Sequence, residues 1–253
     1  MKKRKFRRYD HSDGFFQGSK GPKGPVRKFL ELWLENVWTL IPVNMVWVML
    51  RVLLIPGGLA QAGMTYLCLE MSRSRHTFGI AGFFETIKKF WRKALPMGLL
   101  ILLIWALMLF VGLFYISSSG ILATMGLGCC LASMFFLSLV EPYVWLQFVL
   151  LKLPMKKAVK NACILVFVDL KKNLLLGFVR LGYFAAALGI FLLLPYTITP
   201  ALLLVVTVCF YPGLMHLLTQ HCIFPGVKKH LIDPYYAEHP DEDLEKRKDM
   251  GLL

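Results

Sequence analysis

Long apolar segments alternate with short polar connections along most of this chain. Five of the segments are each long enough to cross a hydrocarbon core of about 30 Å, which needs about 20 helical residues. A sixth is shorter and rich in small residues, so its length fits either a thin crossing or a re-entrant hairpin. The pattern predicts an all-α, polytopic transmembrane helix bundle, with about six crossings or with five plus a re-entrant hairpin. The long segments cover 32–55, 96–116, 121–151, 174–194 and 199–218, and the short one covers 58–71.

The basic residues indicate which connections face the cytoplasm. The chain has 29 Lys and Arg, of which only Arg51 and Arg180 lie inside apolar segments. The others gather in four regions, which alternate with three connections that carry no charge. Cytoplasmic loops collect Lys and Arg, so this alternation predicts six crossings with both termini cytoplasmic. It requires the short segment 58–71 to cross, or at least to return the chain inward. The basic regions cover 2–28, 73–93, 152–172 and 228–248, and the uncharged connections cover 56–57, 117–120 and 195–198.

Composition agrees with a membrane protein, because 57% of the residues are hydrophobic and 17% are charged, whereas soluble domains have about 25% charged residues. The net charge of +14 would suggest a nucleic-acid partner in a soluble protein. Here the excess falls on the predicted cytoplasmic side, so we expect a bilayer with an anionic inner leaflet as partner and no nucleic acid. The chain then divides into a disordered basic tail over 1–29, a single transmembrane helical domain over 30–225 and a cytoplasmic tail over 226–253.

Two of the basic regions contain stretches with the spacing of an amphipathic helix. The first, 80–95, repeats apolar and aromatic residues every three or four positions, with basic residues on the other face. The second, 155–167, repeats the pattern with smaller apolar residues. Such helices lie along an anionic leaflet or dock onto a cytoplasmic partner, and the pattern leaves both interpretations open. The predicted docking or lipid surface consists of Phe83, Phe84, Ile87, Lys88, Lys89, Trp91, Arg92, Lys93, Lys156, Lys157 and Lys160.

Two charged residues within apolar segments form a candidate polar pair. Glu141 lies in the fourth segment and is followed by Pro142, and Arg180 lies near the start of the fifth. Charges at such depths are costly, by about 2.5–3.5 kcal/mol on insertion scales, and they face the bundle or a polar cavity. The pair therefore has three interpretations: a link that determines helix packing, a polar site for a solute or a proton, or separate side chains that extend to the interface.

Nothing in the sequence points to catalysis. It contains no HExxH, P-loop, GxGxxG or GxSxG motif, so we expect no enzymatic activity and no cofactor. His216 and His221 stand five positions apart, beside Cys222, but this spacing does not place the two imidazoles on one helix face. We therefore interpret them as interfacial polar residues and expect no metal site.

Several short stretches share their order and character with motifs of a known family. They are 36–38 (Asn-Val-Trp), 55–66 with its Pro and small residues, the basic aromatic run 83–95, the second basic run 155–162, and 232–236 (Ile-Asp-Pro-Tyr-Tyr). Together they resemble the YesL-like family of bacterial integral membrane proteins, which is a domain of unknown function.

The resemblance implies a fold and a context, and it carries no catalytic residues. It places the chain in the cell membrane of a bacterium as a multi-pass protein. Members are often encoded near carbohydrate ABC importers, so importer subunits are the implied partners and the implied function is an accessory or scaffold component of carbohydrate uptake. The alternative is a transporter or permease-like protein whose intramembrane site contains Glu141 and Arg180.

Overall fold

The computed structural model describes residues 25–73, 79–151, 153–193 and 198–238, and this part of the chain is helical throughout, with short connections and no strand. The prediction of an all-α fold is confirmed. The helices are α1 (Pro25–Val52), α2 (Gly57–Ser72), α3 (Ile80–Ser117), α4 (Ile121–Leu151), α5 (Met155–Val168), α6 (Leu170–Leu193), α7 (Thr199–Val227) and α8 (Asp233–Glu238), with a π-helical stretch, Lys228–Ile232, before α8. The predicted tails lie largely outside the described residues, although 25–29 belong to α1 and 226–238 continue the helix of α7.

Four helices of the described chain are long and apolar enough to cross a membrane. They are α3, α4, α6 and the continuous helix Pro200–Glu238 that contains α7 and α8. Many large apolar side chains on them face outward, such as Leu103 at 65% and Phe110 at 69% exposure. Water would penalise so much exposed apolar surface, whereas lipid tails accept it, so these helices indicate a membrane protein.

The first two helices differ from these four. α1 has 28 residues but includes Glu31, Glu35 and Arg51, which dilute its apolar character. α2 has only 16 residues, less than the roughly 20 that a full crossing requires. The predicted count of about six crossings therefore depends on α1 and α2 crossing as well.

The predicted helix bounds agree well with the structure in the middle of the chain and less well around prolines. α4 coincides with the predicted segment 121–151, and α5 extends the predicted 155–167 by one residue. By contrast, the amphipathic stretch 80–95 and the crossing 96–116 form one helix of 38 residues, α3, with Pro96 inside it. Proline removes one backbone hydrogen bond but its fixed φ angle suits a helix, and membrane helices tolerate it. The expectation of two separate elements was wrong on this point.

The short helix α2 lies at the centre of the bundle, in contact with α1, α3, α4 and α7. Most of its residues are buried, which explains why the segment is rich in small residues. Gly58 of α2 meets Gly98 of α3 so closely that a Cβ atom on Gly58 would lie 2.5 Å from the Cα atom of Gly98. The two backbones thus touch at a point where only glycine fits on either side.

We expect Gly98→Ala to destabilise the protein by about 1–3 kcal/mol, because the added methyl group forces α2 and α3 apart. Gly128 of α4 is the matched control, since a Cβ atom added there would have no neighbour within 4 Å in the described part of the chain. Gly128→Ala should be neutral or slightly stabilising. Thermal unfolding in mild detergent measures both, and equal stability of the two variants would show that the close approach is unimportant.

Candidate functional site

The carboxylate of Glu141 is held by two indole groups. Trp105 of α3 donates its Nε1 hydrogen to Oε2 at 3.1 Å, and Trp145, one turn further along α4, donates to Oε1 at 3.3 Å. Trp145 is only 1% exposed. Hydrogen bonds to a charged acceptor are stronger than those between neutral groups, so this arrangement fastens α3 to α4.

The guanidinium of Arg180 connects three helices. From α6, it donates through Nη1 to the backbone oxygen of Ser138 on α4 at 3.0 Å and through Nη2 to the hydroxyl of Thr219 on α7 at 2.6 Å. Thr219 in turn donates to the carbonyl of Met215. Since few residues of α6 are buried, these polar contacts hold a helix that has little apolar packing of its own.

The structure brings the two charged residues to the same part of α4 without direct contact. Ser138, which binds Arg180, precedes Glu141 by about one helical turn. In the described chain there is no ion pair between Glu141 and Arg180 within 4 Å, because the indoles occupy the carboxylate and the guanidinium reaches the Ser138 carbonyl instead. A direct ion pair is thus replaced by two separate sets of hydrogen bonds, and energetic coupling between the two charges stays a prediction.

The stretch 80–95 at the start of α3 has an apolar face that is partly buried in the core and partly exposed. Phe83 is fully buried, and its ring lies against Gly63 of α2, where Ile87 also approaches. Of the predicted docking surface, Phe83 therefore belongs to the protein core, and Ile87 is partly buried against it. Phe84 and Trp91 are 48% and 50% exposed.

The exposed basic residues surround a groove of about 300 Å³. The guanidinium of Arg92 lies 5.4 Å from the centre of the Trp91 ring, and the ammonium of Lys89 lies 5.7 Å from that of Phe90. Cation–π contact of this kind holds a long basic side chain against an aromatic surface. The described residues that line the groove, none of them acidic, are Lys89, Phe90, Trp91, Arg92, Lys93 and Phe148.

The second basic helix, α5, packs beside the same part of α4. The ring of Phe90 lies 5.8 Å from that of Phe148, while the neighbouring Gln147 donates to the backbone oxygen of Ala158 at 3.4 Å. Adjacent residues at the end of α4 therefore contact both basic helices. The small residues of α5 are buried, and its exposed basic side chains are Lys156, Lys157 and Lys160. The arrangement brings Lys89, Trp91, Arg92 and Lys93 of α3, and the helix α5 that carries the three lysines, to one end of α4. Phe84 and Lys88 are exposed on α3 but do not line the groove.

A buried polar link between α4, α5 and α6 was missed by the sequence analysis. The Tyr143 hydroxyl donates to Oδ1 of Asn173 at 2.9 Å, and Nδ2 of Asn173 donates to the carbonyl of Val166 at 3.1 Å. Tyr143 and Asn173 are 1% and 3% exposed. An Asn near a basic loop carries no sequence signal for this role, because its partners are 30 and 7 residues away.

His216 and His221, which the sequence analysis considered as possible metal ligands, have aromatic neighbours. The ring of His216 lies 5.5 Å from that of Trp47, and the ring of His221 lies 6.0 Å from that of Phe29. Within the described ranges, no group of three or more His, Cys, Asp or Glu side chains is placed to hold a metal ion.

We expect a double-mutant cycle of Glu141→Gln and Arg180→Gln to be non-additive by more than about 0.5 kcal/mol, because the two opposite charges lie at the same part of α4 and attract each other through a medium of low dielectric constant. Each single change should itself cost about 1.5–3 kcal/mol through weakened charged hydrogen bonds. Thermal unfolding in detergent measures the cycle. A cycle of Glu141→Gln with Lys157→Gln, an exposed position on α5, is the control and should be additive. Additive losses in the first cycle would mean that the two charges act independently.

The chain matches no family model, and no curated protein or solved structure matches it.

Proposed function

We propose that this chain is a multi-pass protein of a bacterial cell membrane that serves as a non-enzymatic accessory or scaffold component of carbohydrate uptake. The observation that carries the scaffold role is the exposed face of α3, where Phe84 and Trp91 stand beside basic side chains at the end of a membrane-length helix. An aromatic pair flanked by cations is suited to docking on a partner with an acidic or apolar groove. The link to carbohydrate uptake rests on the resemblance to the YesL-like family.

The contacts of the intramembrane charges favour this role over transport through Glu141 and Arg180. Both oxygens of Glu141 accept hydrogen bonds from tryptophan, and the Arg180 guanidinium is shared between α4 and α7. A solute that entered here would have to displace these protein partners. The transporter with a polar site at Glu141 and Arg180 is therefore the second candidate.

The proposal includes a topology of six crossings with both termini in the cytoplasm. Basic connections alternate with uncharged ones along the chain, and Lys and Arg concentrate on the cytoplasmic side. This topology requires α1 and α2 to cross with the four longer helices. It places the groove of α3 and the lysines of α5 beside the anionic inner leaflet, where each cation near the surface contributes about 1 kcal/mol.

The topology predicts opposite labelling of two introduced cysteines. In intact cells, a membrane-impermeant maleimide should label Ser118→Cys, in the uncharged connection before α4, and should label Lys157→Cys only after the cells are broken. The parent chain provides the baseline, because its own Cys129 is exposed. Labelling of Lys157→Cys from outside would contradict the topology.

The scaffold role predicts that Phe84→Ala with Trp91→Ala abolishes co-purification of carbohydrate importer subunits in mild detergent, while the yield of inserted protein stays unchanged. Neither ring is buried, so folding loses little, whereas a partner groove loses its two aromatic contacts. Phe110→Ala with Phe114→Ala is the matched control, since these rings are 69% and 59% exposed in the apolar half of α3.

The control pair should leave co-purification intact. If the Phe84 and Trp91 variant still captures the same subunits, the exposed face is not the docking site. If the parent chain captures no importer subunit, the proposed partner is wrong.

A further inference from the structure

Three basic side chains of the α3 groove lie on one side of the helix. Lys89, Arg92 and Lys93, the three groove cations, are related by steps of three and four residues, so they are neighbours on the helix surface. All three are exposed. Like charges at this spacing repel each other, yet in the described part of the chain no carboxylate lies within 4 Å of any of them. The described residues therefore leave this concentration of positive charge uncompensated.

The floor of the groove is apolar. Phe90 of α3 and Phe148 of α4 line it, with ring centres 5.8 Å apart, and both side chains are almost completely buried. The groove, of about 300 Å³, thus combines a basic rim with an aromatic floor. A ligand that fits both parts carries negative charge at one end and is apolar at the other.

The basic side of α3 continues as an apolar stripe. At about 100° per residue, Leu100, Leu103 and Leu107 lie on the same side of the helix as the three groove cations. These leucines, the leucine stripe, are all exposed and belong to the apolar part of α3 that begins at Pro96. Lipid tails accept such a surface. A molecule bound in the groove therefore has an apolar track beside it along the helix.

The position of the cations along α3 matches the headgroup layer of a bilayer. At a rise of about 1.5 Å per residue, Lys93 lies about 4.5 Å and Lys89 about 10 Å before Pro96. The polar layer of each leaflet extends about 5–8 Å beyond the hydrocarbon core, and long basic side chains reach it from either position. The phosphate groups of phospholipids lie in the same layer.

We propose that the groove binds one anionic phospholipid, whose phosphate contacts the three groove cations while an acyl chain lies along the leucine stripe. Guanidinium and ammonium groups bind phosphate oxygens through charge-assisted hydrogen bonds, and a guanidinium binds two of them at once. An acidic protein segment would satisfy the cations but would leave the leucine stripe unused, so a lipid is the better match. The site differs from general attraction to the inner leaflet, because it holds one lipid in a defined place.

The inference is independent of the scaffold role. Phe84, on the docking face of that role, lies about 130° around α3 from the leucine stripe, and Trp91, which also borders the groove, lies about 150° from it. Lipid binding is also measured on the purified protein, without importer subunits. A chain that captures no importer subunit would still bind the lipid, so the two proposals fail separately.

Native mass spectrometry of the purified full-length protein in mild detergent tests the site. Dioleoyl phosphatidylglycerol is the anionic probe, and dioleoyl phosphatidylcholine has the same acyl chains without net charge. We expect the first phosphatidylglycerol to bind at least about tenfold more tightly, since each cation beside an anionic lipid contributes about fivefold in affinity. Equal affinities for the two lipids would overturn the proposal.

Replacing the three groove cations together by glutamine should weaken binding of the first phosphatidylglycerol by at least about tenfold. The matched control removes three exposed cations of α5 in the same way, as Lys156→Gln, Lys157→Gln and Lys160→Gln. Both variants lose the same net charge, but charges outside the groove are screened by solvent and salt, so the control should keep its affinity. An equal loss in the control would show general attraction to a basic surface and would contradict a discrete site.

The single change Lys93→Gln keeps the test decisive if the triple variant does not fold. Lys93 is exposed, so the change has little effect on stability. It should weaken binding of phosphatidylglycerol by about fivefold. Unchanged affinity of this variant would contradict the site.

Two soluble competitors distinguish a lipid from other anionic ligands. Glycerol phosphate carries the headgroup phosphate without acyl chains, and hexaglutamate represents an acidic protein segment. Neither should displace the bound phosphatidylglycerol at a large molar excess, because neither contacts the leucine stripe. Displacement by glycerol phosphate would mean that the groove takes a soluble phosphate, and displacement by hexaglutamate would mean that it takes an acidic peptide. Either result would overturn the lipid site.

Discussion

The contact between Gly58 and Gly98 is the constraint on which the rest of this fold depends. It lets the backbones of α2 and α3 touch, and the contact allows the short α2 to lie among four other helices. Lipid provides no hydrophobic driving force between helices, so close packing of small residues is what stabilises such a bundle. The same approach lets Phe83 reach Gly63, and it thereby determines which side chains of the basic half of α3 remain on the surface.

The two charged residues within the bundle do not form an ion pair with each other. Glu141 and Arg180 each bind neutral groups, so each charge is spread over hydrogen bonds that join separate helices. This gives α6, which buries few residues, a defined place against α4 and α7. The Tyr143 and Asn173 link supports the same region from the α5 side. Polar contacts therefore determine packing where the apolar surface is shared with lipid.

The polar groups of the surface differ from those of the interior. The groove of α3 combines cations with aromatic rings, of which Trp91 is exposed. Buried polar side chains on α1, α2 and α7, such as Asn44, Gln61 and Gln220, are uncharged. The central helix α2 contacts α3 as well as α1 and α7, so it packs against helices of both kinds.

The amino-acid sequence by itself determined the helical class, four membrane-length helices, the bounds of α4 and, within one residue, those of α5. It also determined the amphipathic character of the two basic stretches. These follow from hydropathy and from periodicity along one segment, which are local properties. Only the tertiary structure decided that Phe83 and Ile87 face the core, that Glu141 binds tryptophan rather than Arg180, and that Asn173 meets Tyr143. Periodicity tells which residues share a helix face, but the helix that covers that face is chosen by packing between segments distant in the chain.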